Sequence, residues 1–239
     1  MVEEITHTPA IFPTISPIPY WKSTAPEPYS SDIDHIKEAS WDYQTQNNYL
    51  WERHDVTNHM RFTLMKWVCK VCSKFKLLPE TYYLSVNIID RFLAMNYVEK
   101  EFLQLIGITA MHIAAKFEEV YSPSILEWVH MSANSCKKQQ ILDMERVILE
   151  SIQYKLNVPT AIHFLEKLIK DSPENLQQFA RKLLKNAMQQ ILALENRPSR
   201  MAKIVFDIAT NTLQPAIISD TAHLLDMTHI AARTITSQT

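Results

Sequence analysis

Glu145 is the carboxylate whose position demands most explanation. It shares a helical face with Ile141, Met144, Ile148, Leu149 and Ile152, where a lone charge is costly to bury. It needs a partner, and Lys116, near the end of another helical pattern, is the candidate. A lysine there can also serve simply to complement the helix dipole. Cys69-Lys-Val-Cys72 has the spelling of a metal or redox pair, but a second pair and suitably spaced histidines are both missing. The two cysteines therefore read as small packing residues. The nine histidines are scattered, with no H-E-x-x-H pattern. No serine or cysteine stands in a recognisable nucleophile context. The expected chemistry is binding rather than catalysis, with no metal and no cofactor.

Composition narrows the class further. Of 239 residues only Gly107 is glycine. Phosphate-cradling loops, dinucleotide fingerprints and hairpins with primed turns all need glycine at special backbone positions. What remains is helices joined by short polar or proline-marked connections. Lysine and arginine total 24 against 26 acidic residues, a net charge of −2; a phosphate-gripping domain carries a positive excess, so nucleic acid is not the expected partner. Three cysteines are too few and too odd for a disulfide framework, and no signal-peptide pattern is present, so a reducing intracellular compartment is expected. The most apolar window, 102–115, is too short to span a bilayer, so no membrane is expected.

The elements that must position these residues follow from periodicity and punctuation. Half of the twelve prolines fall in the first 28 residues, which predicts an extended segment. Thr8-Pro9 and Ser16-Pro17 within it match, weakly, proline-directed phosphorylation sites. A polar helix is predicted over 31–47. Thr57 or Asn58 can cap a first strong helix, with Leu64, Trp67, Val68, Val71, Cys72 and Phe75 at three- and four-residue steps. Pro79 opens a second, carrying Leu84, Ile88 and Phe92. The third, predicted over 99–118, is the most apolar and should lie at the centre, with Gly107, Ala110 and Ala114 on one face. A fourth is predicted over 124–130 and a fifth over 137–152.

Then the pattern repeats. Pro79-Glu80-Thr81 is echoed by Pro173-Glu174-Asn175, Ile113-Ala114 by Ile208-Ala209, and Pro123 by Pro215. Three echoes at nearly constant offset predict a tandem duplication. The expected fold is all-α, two five-helix repeats with the second shortened by a truncated last helix from Thr228. The expected domains are an extension at 1–56, a first repeat at 57–157 and a second at 158–239.

Several segments resemble the cyclin family. Met60-Arg61-Phe-Thr-Leu64-Met-Lys-Trp67 resembles the opening of the cyclin box, and Lys76-Leu-Leu-Pro-Glu-Thr81 and Ile89-Asp90-Arg91-Phe92-Leu93 continue it. Leu103-Gln104-Leu-Ile-Gly107, Ala114-Ala115-Lys116-Phe117-Glu118-Glu119, Met144-Glu145 and Tyr154-Lys-Leu156 complete it. The wording is most similar to mitotic B-type cyclins, with A-type next; residues 161–239 resemble the second repeat only loosely.

The resemblance implies a regulatory subunit, without an active site, that turns the C-helix of a cyclin-dependent kinase in G2/M-like control. The kinase-contact positions it implies are Ile33, Lys116, Phe117, Glu145, Leu149, Tyr154 and Leu156. It implies an Arg61–Asp90 ion pair, read as architectural. It also implies a patch for substrate or inhibitor peptides at Met60, Leu64, Trp67, Leu103 and Gln104, with ordinary core as the alternative reading of Leu64. Here the sequence departs from the family: Thr63 is polar where an aliphatic residue is usual, and Lys70 replaces an acidic residue. Lys70 would repel a basic docking motif. Nuclear and cytoplasmic localisation is expected. Two other readings share the fold: a cyclin-fold transcription factor binding DNA and proteins, and a helical scaffold that activates nothing.

Overall fold

A computed structural model describes residues 56–213, residue 191 excepted, and every regular element among them is helical. The predicted N-terminal extension and helix, Ile33, Pro215 and the last predicted helix lie outside the described residues. The chain divides into two compact units that part between Val158 and Pro159.

In the first unit the order is α1 (Asn58–Phe75), α2 (Pro79–Met95), a 3-10 turn (Lys100–Phe102), α3 (Leu103–Glu118), α4 (Ile125–Met131) and α5 (Lys138–Ser151). Thr57 caps α1, its hydroxyl accepting from the Met60 N–H at 3.3 Å. Pro79 occupies the first turn of α2, where a missing N–H costs nothing. The third helix differs from its prediction at the start: Lys100–Phe102 is a tighter turn in which the Phe102 N–H donates to the Glu99 carbonyl at 3.1 Å. Glu99 offers no side-chain cap, and the tighter turn satisfies a leading N–H instead. Ser124 and Glu127 cap α4 reciprocally, and the hydrogen bonds from Ser124 hold the Glu127 carboxyl below its usual range.

From Leu103 to Ala115 every residue except Gln104 is buried, so α3 is the axis of this unit, touching α1, α2, α4 and α5. Gly107 permits a close approach of α1 to α3. A Cβ there would meet Leu64 Cδ1 at 2.8 Å and the Trp67 ring at 3.2 Å. In α2, Leu84, Val86, Ile88, Ile89, Phe92 and Leu93 are all fully enclosed; such side chains each contribute roughly 1.5–3 kcal/mol on burial.

The second unit contains α6 (Ala161–Ile169), α7 (Glu174–Ala187), α8 (Leu192–Glu195) and helical residues 198–213. Ile162, Leu165, Ile169, Leu176, Ala180 and Leu184 are buried in it. A two-bond pair from Arg181 to Glu166, at 2.7 and 2.8 Å, ties α7 to α6.

Candidate functional site

Lys116 on the last turn of α3 and Glu145 in the middle of α5 form a hydrogen-bonded ion pair. The pair is asymmetric, with 48% of the Lys116 side chain exposed and 12% of that of Glu145. Glu145 neighbours Ile141, Met144 and Ile148, which are buried, so α5 delivers a carboxylate to the edge of a core and Lys116 neutralises it. A third group completes the arrangement. His112 lies one turn before Lys116, and its Nε2 is 3.8 Å from the second Glu145 oxygen. Its ring is buried, edge-on to Trp128 at 6.3 Å between centroids, and Nδ1 has no hydrogen-bond partner among the described residues. Burial holds the imidazole below its ordinary pKa; Glu145 opposes that shift and Lys116 adds to it. His112 is therefore neutral at neutral pH. Sequence reading missed it, although its four-residue spacing from Lys116 was the available signal.

Large exposed apolar side chains end α3 and follow α3 and α5, the helices that carry the pair. Phe117 is 49% exposed, Val120 88%, Tyr121 91% and Tyr154 63%, while Leu149 and Leu156 are half-buried. Tyr154 sits on the turn that follows α5, where Gln153 and Tyr154 both take left-handed backbone, φ 56° at each. Two successive non-glycine residues there cost roughly 1–2 kcal/mol each. Arg91 of α2 compensates, donating to the Lys155 carbonyl at 2.8 Å and the Ile152 carbonyl at 3.1 Å. Asn96 adds a bond to the Ser151 hydroxyl at 2.7 Å. On the other side, Glu119 accepts from the Leu78 N–H at 2.7 Å and the Thr81 hydroxyl at 2.6 Å, anchoring the chain just before Val120 and Tyr121. Sequence reading assigned these roles to neither Arg91 nor Glu119, because long-range bonds to backbone leave no periodic trace.

The other predicted residues fall on α1 and the start of α3. Arg61 and Asp90 form a buried two-bond pair, 2.8 and 2.7 Å, between α1 and α2. Met60 and Trp67 are half-buried and Gln104 is exposed, accepting from the Ser135 hydroxyl at 3.2 Å. Leu64 and Leu103 are buried. Lys70 is exposed on it. Cys72 is buried and Cys69 is half-buried, and neither forms a disulfide. Among the described residues no group of three or more His, Cys, Asp or Glu is placed to hold a metal. No described helix is long and apolar enough to cross a membrane.

Comparison with known proteins adds four findings. Residues 32–157 match the family described as "Cyclin, N-terminal domain". A G2/mitotic-specific cyclin-B of Spisula solidissima is 36% identical over 177 residues, 73% of this chain and 41% of that protein. A G2/mitotic-specific cyclin-A of Hydra viridissima is 38% identical over 142 residues, 59% of this chain and 34% of that protein. The chain thus spans less than half the length of these relatives. Among solved structures, a viral cyclin from herpesvirus saimiri superposes with a TM-score of 0.62 at 25% identity, over 68% of this chain and 74% of that one.

Proposed function

This chain belongs to the cyclin family, and from that premise we propose that it is a non-catalytic regulatory subunit that binds and activates a cyclin-dependent serine/threonine kinase in G2/M-like control. The carrying observation is the Lys116–Glu145 pair, on helices that end in or are followed along the chain by exposed Phe117, Val120, Tyr121 and Tyr154. Several large exposed apolar side chains at the ends of helices that carry a half-buried charged pair suit a protein partner, not water. The partner covers the apolar groups, and the pair supplies an ammonium donor and carboxylate acceptor for its backbone.

Activation by such a surface is selection between two kinase conformations. Kinase catalysis requires a glutamate of the C-helix to reach the ATP-positioning lysine. A surface that fits the C-helix only in that orientation favours the active state by its difference in affinity. Lys116 and Glu145 fix register; Phe117, Leu149, Tyr154 and Leu156 provide contact area; Arg91 keeps the Tyr154 turn in shape. Arg61 and Asp90 are architectural.

The second unit reads as a shortened repeat of the first. Pro79 and Pro173 both stand at the start of a helix, and Ala114 and Ala209 are both buried. Ile208, unlike Ile113, is 47% exposed, so the echo holds at the small residue and not at its neighbour. The compartment proposed is nucleus and cytoplasm, where the kinase partner would be met.

Capture of a purified cyclin-dependent kinase subunit by the immobilised chain tests this reading. Lys116→Ala and Glu145→Ala should each weaken capture at least about thirtyfold while circular dichroism stays helical. Undiminished capture by a folded Lys116→Ala protein refutes the role given to the pair.

A further inference from the structure

The 18 residues of α1 include Arg61, Lys66, Lys70 and Lys74 and no aspartate or glutamate, in a chain whose net charge is −2. Arg61 is engaged by Asp90 inside the unit. The three lysines stand four residues apart and are all exposed, so they form one ridge along the helix. Like charges at this spacing destabilise a helix, and only Lys74, in the last turn, is favoured by the helix dipole. Among the described residues no carboxylate lies within ion-pairing distance of any of the three. Lys66 has its Nζ 5.9 Å from the centre of the Phe62 ring, a contact that keeps its charge.

Thr63 lies within the ridge and is exposed; Trp67 and Met60 follow it around the helix, both half-buried, with Gln104 of α3 nearby in the patch described above. Trp67 is pressed close to α3 by the absence of a side chain at Gly107. An apolar seat thus runs beside a line of ammonium groups that no carboxylate of the described residues pairs with. Successive lysines are about 6 Å apart along the axis, since four residues rise 1.5 Å each. Alternate residues of an extended peptide repeat at about 6.6 Å on one face. The two spacings match.

We propose that this face binds an extended peptide bearing Asp or Glu at alternate positions over Lys66, Lys70 and Lys74, with an adjoining apolar residue against Met60 and Trp67. The proposal rests on the reading of this face as a peptide-docking surface and specifies its ligand as acidic. Nucleic acid fits less well: the cations available are three lysines about 12 Å from end to end, in a chain with a net negative charge.

The test is fluorescence anisotropy of labelled peptides with the full chain. One peptide carries an apolar anchor beside three aspartates at alternate positions; a second has lysines in their place. The acidic peptide should bind at least about tenfold more tightly, losing affinity as salt rises, and Lys70→Glu should reduce its affinity about tenfold. Equal binding of the two peptides, a preference for the basic one, or indifference to Lys70→Glu would overturn the proposal. So would displacement of the acidic peptide by a short DNA duplex at equal phosphate-to-carboxylate concentration, which would mark a generic polyanion site. Peptide binding is read without a kinase. A chain that docks the acidic peptide but captures no kinase contradicts only the regulatory reading; one that captures a kinase but ignores the peptide contradicts only this one.

Discussion

A single imidazole is the least expected part of the surface proposed to face a kinase. His112 lies against Glu145 and below Lys116, buried and neutral, with Nδ1 lacking an acceptor among the described residues. Its folded pKa lies below the ordinary value near 6.5 because burial disfavours the imidazolium. The linkage sign follows. Above pH 6.5 both folded and unfolded forms are neutral there and the full stability is present. As pH falls from about 6.5 through the lowered folded pKa, the unfolded chain takes up a proton that the folded chain resists, and stability is lost. Thermal melts at pH 7.5 and 5.5 should therefore show a larger loss for the natural chain than for His112→Leu, the difference isolating this ring from the carboxylates. Equal losses would contradict the assignment. Imidazole nitrogen shifts give an independent reading: Lys116→Ala should raise the His112 pKa and Glu145→Gln should lower it, as the signs of their fields require.

Helices carry the next level of explanation, because each places one part of the surface. α3 and α5 bring Lys116 to Glu145, α2 reaches through Arg91 to the turn after α5, and α1 lies against α3 at Gly107. Arg91→Ala should cost about 2–4 kcal/mol in urea unfolding, since two bonds from a charged donor are lost at a strained turn. It should also weaken kinase capture by loosening Tyr154 and Leu156. Arg61→Ala should cost about 3–5 kcal/mol, leaving Asp90 buried without its counter-ion. The helices themselves were legible in the sequence because their signals are local: Thr57 as a cap, Pro79 in a first turn, Leu84, Ile88 and Phe92 at core spacing. Glu145 was legible for the opposite reason, a charge on an apolar face. Burial of Leu64 and Leu103 was harder to read, since an apolar residue on α1 or α3 can face either a ligand or the neighbouring helix; for Leu64 the close approach at Gly107 shows the neighbouring helix. Arg91, Glu119 and His112 act through contacts distant in sequence, which periodicity does not encode.

At the scale of the whole molecule, every described residue assigned to the kinase belongs to the first unit, as do α1 and its lysine ridge. A net charge of −2 gives no strong overall attraction to a charged partner, so the proposed recognition of the kinase falls to the apolar surface and its half-buried pair. A surface of that kind acts by favouring one conformation of what it binds. The direct test is to titrate an inactive, monomeric cyclin-dependent kinase subunit with this chain and follow phosphate transfer to a histone substrate. The account predicts a saturable rise in activity that a folded Lys116→Ala chain fails to produce at the same concentrations. A kinase that binds the chain and stays idle, or responds equally to the Lys116→Ala chain, would contradict it.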